Sequence, residues 1–432
     1  QSEFGEKWAP EEADDITLGS TLLFYTKEVE HPVKYIAPGF AKDITQTPIP
    51  ITRVLRSGDS GCHYWWIEWG GELDTLHDNE RIRDELWSVI YGIWDYIKNS
   101  GKFDAERMTL EWVGSVPGKR EYRRFIGDYI LTQNDIEAQT AFDDCVTFGG
   151  WSIDLHHKEG MYATDHKSMH YQSDGIFQVP YRSLYSANVR NLLFAGRNIS
   201  ATHIAFGATR VMGTCATIGE AAGTAAALCV ERGAMPRELY REHMRELQRM
   251  LLWQDASIIG LRLEDAKDAA VRASVTASGY ETTIRIDSAD EKRLLDTDAG
   301  MLVPVDPSVA GIELLLDAAE ATTVEVELWS TGRPENYIPV QLQVKDAVRV
   351  QAGERQWVSF RLPWHPSAPA NAFIVVRENK AVHLHLSHTP WCGVLSFLRE
   401  KSLNAARGLE GLDPNQPVVQ WSMRRTGRKP CC

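Results

Sequence analysis

Three groups of side chains in this 432-residue chain have types and spacing suited to chemistry. The first is Tyr64-Trp65-Trp66-Ile67-Glu68-Trp69-Gly70-Gly71-Glu72, with Asp74 just beyond. Aromatic ring faces can line a sugar-binding cleft, and Glu68, Glu72 and Asp74 could supply a carboxylate pair for acid–base work on a glycoside. The same pattern equally describes rings filling a core, with each carboxylate on a solvated strand edge. The second group is Lys119, Arg120, Arg123 and Arg124, four cations in six positions after Pro117-Gly118. Such density in an acidic chain suits an anionic ligand held at low dielectric; a solvated loop is the plain alternative. The third group is histidine-rich: His156, His157, His166 and His170. A helix would bring His166 and His170 onto one face, but no HExxH pattern accompanies them and Asp165 is the only adjacent acid, so no metal is expected. His383 and His385 share a strand face without an identifiable third ligand, which leads to the same expectation.

The stretch from Val189 to Gly233 supplies the elements that would position a ligand. Leu192 to Ala195 reads as a short buried strand ending at Gly196, followed by the turn Arg197-Asn198-Ile199-Ser200. A helical pattern runs from about Arg210 to Glu231, with Gly213, Ala216, Gly219, Gly223 and Ala226 on one face. Each interior glycine costs about 1 kcal/mol against alanine, so something is expected to approach this backbone closely. Strand, glycine turn and bare helix N-terminus together suit an anionic or carbonyl-rich ligand. Tight packing of the helix on a sheet is the simpler account. A membrane span is excluded by length, since the apolar core falls short of about 20 residues.

The order of residues here resembles a known family. Leu192-Leu193-Phe194-Ala195-Gly196-Arg197, Ser200-Ala201-Thr202-His203, Arg210-Val211-Met212 and Gly219-Glu220-Ala221-Ala222-Gly223-Thr224-Ala225-Ala226 look like the flavin-closing segment of FAD-dependent oxidoreductases related to xanthan-lyase annotations. Gly118-Lys119-Arg120-Glu121-Tyr122-Arg123-Arg124, then Gly127-Asp128-Tyr129, resembles a second family motif, with Tyr122 where serine is usual. Gly149-Gly150-Trp151-Ser152-Ile153-Asp154-Leu155-His156 resembles a third, marking the return from the substrate region to the flavin domain. The resemblance implies FAD as cofactor. It places Gly196, Arg197, Asn198 and Ser200 along the ribityl–phosphate portion, and aims the helix start at Arg210, Val211, Met212 and Gly213 toward the isoalloxazine C2 carbonyl. Gly219 and Gly223 would then serve helix–sheet packing. His203 becomes the candidate acid–base residue, its reference pKa near 6.5 suiting removal of a hydroxyl proton as hydride leaves. Arg210 would be a fixed positive charge near the reduced ring, and Arg120, Arg123 and Arg124 would face the reacting centre.

No G-x-G-x-x-G fingerprint occurs; Gly58-Asp59-Ser60-Gly61 and Gly149-Gly150 lack its spacing and context. The resemblance starts at Ser2, inside a family segment, so the chain is expected to lack the pyrophosphate-binding βαβ unit. The formal net charge of −13 argues against nucleic acid or an anionic membrane as partner. Arg424, Arg425, Arg428 and Lys429 read as a solvated tail. Seven scattered cysteines, without CxxC spacing, favour a reducing, cytoplasmic setting and leave localisation open.

The remaining elements follow from periodicity. Thr21 to Tyr25 reads as a strand, and Asp78 to Lys98 as an amphipathic helix capped by Asn99-Ser100-Gly101. A charged helix spans Met235 to Leu252. From about Ala270 the texture becomes short apolar runs at 312–316, 324–329, 340–344, 357–362, 373–376 and 382–386, indicating a β-sandwich. The expected fold is α/β or α+β: an incomplete Rossmann-like FAD domain with an inserted substrate region, then the sandwich. The expected parts are 1–150 for substrate, 151–268 for flavin closing and 269–432 for the sandwich. The leading function is hydride transfer from a small, sugar-like alcohol or amine to FAD. A polysaccharide lyase or hydrolase using Glu68, Glu72 or Asp74, and a non-catalytic glycan-binding protein, are the alternatives. The partner is a small molecule or carbohydrate, and oligomeric state is left open.

Overall fold

The computed structural model describes residues 4–164, 168–171, 173–279, 282–286, 288–389, 391, 393–402, 418–423 and 429–430. Asp165, His166, Cys392, Arg424, Arg425, Arg428, Cys431 and Cys432 lie outside the described residues. The chain divides into two compact units, one built on Gln1–Tyr171 and Phe177–Leu263, the other on Gln172–Ile176 and Glu264–Arg407.

The first unit is a mosaic of short antiparallel pairs around helices. In chain order it contains β1 (Ser20–Thr21), β2 (Phe24–Glu28), α1 (Ile49–Thr52), β3 (Glu68–Trp69), α2 (Asn79–Asn99), β4 (Met108–Val113), β5 (Gly118–Lys119) and α3 (Gln133–Ala138). It continues with β6 (Cys145–Gly149), β7 (Ile153–His156), β8 (Ser168–Tyr171), β9 (Phe177–Pro180), α4 (His203–Thr209), α5 (Met212–Arg232), α6 (Pro236–Glu242) and α7 (Met244–Trp253). Strands pair as β3–β1–β5, β2–β4, β6–β9 and β7–β8. The expected amphipathic helix is α2: Ile82, Leu86, Val89, Ile90, Ile93, Trp94 and Ile97 face inward against Leu22, Phe24, Ile44, Tyr64 and Trp66. Three- and four-residue spacing puts these apolar groups on one stripe, and Gly101 at φ +72° turns the chain away.

Three local expectations are corrected. Residues 192–195 form no strand; only the bridge Tyr185–Leu193 is present, and Leu192 is 39% exposed. Gly196 turns the chain at φ +103° immediately afterwards, leaving no further residues in register to pair. The Arg210 helix is preceded by α4, capped by Thr202, whose hydroxyl accepts from Ala205 N at 3.1 Å. The pattern through residues 235–252 is two helices, interrupted at His243.

The glycine stripe of α5 does not pack on a sheet as expected. The helix buries Thr214, Ile218, Ala221, Ala222, Ala225 and Leu228. A Cβ added at Gly213, Gly219 or Gly223 would meet nothing within 4 Å. The glycines lie on the face opposite the buried one, which Ile218 and Leu228 anchor with threonines and alanines between them.

The second unit holds β10 (Glu291–Leu295), β11 (Ala299–Val305), β12 (Val309–Ala318), β13 (Thr322–Ser330), β14 (Gln341–Val350) and β15 (Gly353–Trp364). Then come β16 (Ala370–Val376), β17 (Asn379–Ser387), β18 (Leu395–Ser402) and β19 (Val418–Met423). They form two antiparallel sheets, β10–β17–β12–β15 and β14–β13–β16–β11–β18–β19; β20 (Lys429–Pro430) adds to β17, so Lys429 belongs to a sheet and not to the solvated tail expected of it. Alternating residues of both, among them Leu314, Leu316, Val324, Val326, Phe360, Ile374 and Leu384, meet in one apolar core. Architecture is thus mixed, with helices confined largely to the first unit and long strands to the second.

Candidate active site

Two carboxylate–histidine clusters lie in the first unit, on either side of the exit from β5. The chain bends at Arg120, and this residue joins one cluster while its neighbour Glu121 joins the other.

Glu121 is 1% exposed and holds His203, the first residue of α4. His203 Nδ1 lies 2.9 Å from Glu121 Oε2 and 3.1 Å from Oε1. Oε1 also accepts from Arg124 Nε at 2.9 Å, and Oε2 from Leu18 N at 3.0 Å. Arg124 Nη1 donates to Ala201 O at 2.8 Å, tying the guanidinium to the turn ahead of α4. Burial alone would raise the Glu121 pKa, but His203, Arg124 and the Leu18 amide outweigh it and hold the carboxyl below its usual range. An ionised Glu121 accepts a proton-bearing Nδ1 of His203 and so orients the ring. The His203 side chain retains 17% exposure, so its ring is oriented without being sealed.

The other cluster is deeper. His156 ends β7 with a side chain 3% exposed, and its Nδ1 lies 2.5 Å from Oε2 of Glu68, itself 3% exposed. Arg120 Nε approaches the same oxygen at 2.9 Å, as an ion pair whose N–H is not directed for a hydrogen bond. Arg120 Nη2 donates to Thr21 Oγ1 and to Trp65 O, both at 2.9 Å. Arg210 Nη2 donates to Asp154 Oδ2 at 2.7 Å and lies 2.9 Å from His156 Nε2. His170 bridges Asp154 Oδ1 at 3.3 Å and Ser152 Oγ at 3.0 Å. Asp154 would be raised by burial, but His156, His170 and Arg210 bring its pKa down to about 2. Burial works against an imidazolium at His156; Glu68 and Asp154 outweigh it and move the pKa up.

Arg197 and the start of α5 adjoin these clusters. Arg197 Nη1 donates to the carbonyl of Lys119 and, at 3.3 Å, to that of Arg120. Asn198 engages through its carbonyl, which accepts from Phe125 N at 3.1 Å. Ser200 is fully buried, with N donating to Ser183 O and O accepting from Leu131 N, each at 3.0 Å. Its Oγ has no hydrogen-bond partner among the described residues. Val211 is extended ahead of α5, and the first helical bond runs from Cys215 N to Val211 O at 2.9 Å. The amides of Met212, Gly213 and Thr214 therefore have no carbonyl within the helix. Met212 is 90% exposed and the space beside Gly213 is open.

These features fit a flavin. Gly196 sits at φ +103° with nothing within 4 Å of an added Cβ, a cradle that a side chain would fill. The bare amides of a long helix suit a carbonyl that gains negative charge, and Arg210 reinforces the sign. Gly196, Met212 and Gly213 would hold the cofactor by close approach, with Arg210 set one residue behind the helix cap.

Other candidates fall elsewhere. Glu72 pairs with exposed Lys158 at 2.9 Å. Asp74 accepts the amides of Leu76 and His77 in a turn. Arg123 is exposed and outside both clusters. Tyr64 and Trp66 are core, as the plainer reading has it, whereas Glu68 is buried in the network and corrects the expectation of a solvated edge. Trp65 alone of the first three aromatics stays 43% exposed, its ring 5.9 Å from that of His156. His170 lies on strand β8, not on a helix. No group of three potential metal ligands occurs among the described residues. Glu121 is a functional residue that the sequence expectations do not include; its one signal there is an acid inside a basic run.

No curated protein and no solved structure matches the chain. Residues 9–251, more than half of it, match the family described as FAD dependent oxidoreductase. With both clusters and the open start of α5 inside that span, the chain belongs to the FAD-dependent oxidoreductase family, and FAD is its cofactor.

Proposed function

We propose that the protein oxidises a small alcohol or amine, sugar-like in character, with His203 as the base. The observation that carries this reading is the Glu121–His203 pair at 2.9 Å, close in sequence to Arg210 and the bare start of α5. FAD, when bound, supplies the two-electron acceptor for the hydride. His203 Nε2 takes the hydroxyl proton as the C–H bond breaks and the carbonyl forms, and Glu121 stabilises the resulting imidazolium. Arg210 and the α5 amides favour the negative charge gathered on reduction. Arg124 keeps Glu121 oriented, and Arg120 positions Glu68 and the Trp65 loop.

In this reading residues 1–150 form the substrate region, 151–268 the flavin-closing part of a Rossmann-like domain, and 269–432 a β-sandwich. The sugar-like substrate rests on the resemblance to xanthan-lyase-related flavoproteins and on exposed Trp65. Glycan cleavage by carboxylates is disfavoured, since Glu68 is engaged by His156 and Arg120 while Glu72 and Asp74 serve a surface pair and a turn. The test is anaerobic mixing of flavin-loaded protein with a panel of polyols, aldoses and amines. Bleaching of flavin absorbance by a panel member supports the reading. Glycan cleavage without bleaching would replace it with a lyase or hydrolase.

A further inference from the structure

The second unit contains a cavity of about 370 Å³ lined by residues of β10, β11, β17 and β18. Leu295, Ala299, Leu384, Leu386 and Leu398 provide an apolar lining. Five polar residues share the lining, Glu291, Lys292, Arg293, Thr297 and Ser396; Lys292 and Thr297 bond away from it, to Asp317 and to the Arg399 carbonyl. Ser396 pairs with Met301 across β11–β18, is 8% exposed, and its Oγ has no hydrogen-bond partner among the described residues. Arg293 pairs in register with Leu384 and, like Leu295, is on the less exposed side of β10, although the register with β17 shifts between Leu294 and Leu295. Its guanidinium makes no hydrogen bond among the described residues, and its ion pair with Asp296 is loose at 3.7 Å. Glu291, two residues earlier on that side, is 3.7 Å from His388, while Lys292 points the other way and bonds Asp317 at 3.0 Å.

A cavity of this size, mostly apolar with few polar groups, has the character of a small-molecule site. A buried hydroxyl without a partner is unfavourable until an acceptor arrives. A cation beside an apolar chamber selects an amphiphile whose charged end is anionic. We propose that this cavity binds a medium-chain monocarboxylate, the apolar chain among the leucines and the carboxylate accepting from Arg293 and Ser396. The site is separate from the flavin chemistry and does not depend on it.

Isothermal titration of the full chain with decanoate, and with decan-1-ol as the uncharged control, tests this. The expected result is saturable 1:1 binding of decanoate, tighter than that of the alcohol. Arg293→Gln and Ser396→Ala should each weaken decanoate by about tenfold or more, and Arg293→Gln should remove the preference over the alcohol. Leu384→Phe should fill the chamber and abolish binding; Arg293→Gln, at the rim, keeps the test valid if that variant does not fold. Absence of saturable binding to folded protein overturns the proposal. So does decanoate binding that ignores both polar substitutions. If Arg293→Gln leaves binding intact but promotes self-association, Arg293 is only an inward charge guarding the edge strand β10, and the proposal falls.

Discussion

The first unit holds the same chemical pair twice, and burial separates the two. Glu121–His203 and Glu68–His156 each join a carboxylate at most 3% exposed to a histidine Nδ1 within 3 Å. His203 keeps 17% of its side-chain surface and opens a helix; His156 keeps 3% and faces Arg210 across its other nitrogen. An imidazole oriented by a carboxylate with some ring surface retained can exchange a proton with substrate. One bonded through both nitrogens serves as a lock, holding β3, β7 and Arg210 together. Pairing a histidine with an acid does not by itself make a base; how much of the ring stays open to a substrate decides.

The largest expected effect breaks the comparison at its catalytic end. His203→Ala should retain FAD and slow flavin reduction per bound flavin by about 10²–10⁴-fold. Stopped-flow reduction across pH reads this, and the deficit should shrink as pH rises, because an ionised substrate needs the base less. An unchanged rate would move the base elsewhere and leave His203 a structural residue like its counterpart.

At the structural end, His156→Ala should cost about 3–5 kcal/mol in urea unfolding, since it leaves Glu68 and Arg210 buried with incomplete partners. His203→Ala should cost less, about 1–2 kcal/mol, because Arg124 and the Leu18 amide still satisfy Glu121. Equal costs would erase the distinction drawn between lock and base.

Acid should act on the lock through Asp154. Its folded pKa, about 2, lies below the unfolded value near 3.9, so its stabilisation is present above pH about 4 and lost as pH falls toward 2. The difference amounts to about 2–3 kcal/mol. Urea midpoints of wild type and Asp154→Asn should therefore converge between pH 4 and 2, about the window those two pKa values define. Parallel curves through that window would show that Asp154 is not held ionised by the network.

How much of this was readable beforehand depends on the range of the forces involved. Helix α2 was legible because seven apolar residues at local spacing define one buried stripe. The strands from β12 to β17 were legible because alternation is also local. His203, Arg210, Arg120 and Arg124 could be singled out, yet their division between two clusters could not. It depends on Glu68, Glu121 and Asp154, brought together from positions up to 142 residues apart, as between Glu68 and Arg210. Residues 192–195 misled because an apolar run looks the same whether its backbone finds a ladder or a single bridge. The glycines of α5 misled for a related reason: small residues signal close approach without saying whether a neighbour is there.

That last ambiguity yields the smallest expected effect, and it bears on the segment that carries Arg210. Gly223 is helical, exposed, and has nothing within 4 Å of an added Cβ. Alanine there narrows the unfolded ensemble and favours helix, so Gly223→Ala should stabilise the chain by about 0.5–1 kcal/mol in urea unfolding. Both clusters lie beyond the N-terminal end of α5 and Gly223 near its middle, so flavin reduction and the response to His156→Ala should be unchanged. A methyl group that instead lowers stability or weakens FAD binding would mean that another surface covers this face in the working protein. The glycines would then mark a contact, and α5 would couple that contact to Arg210 and through it to the buried histidine.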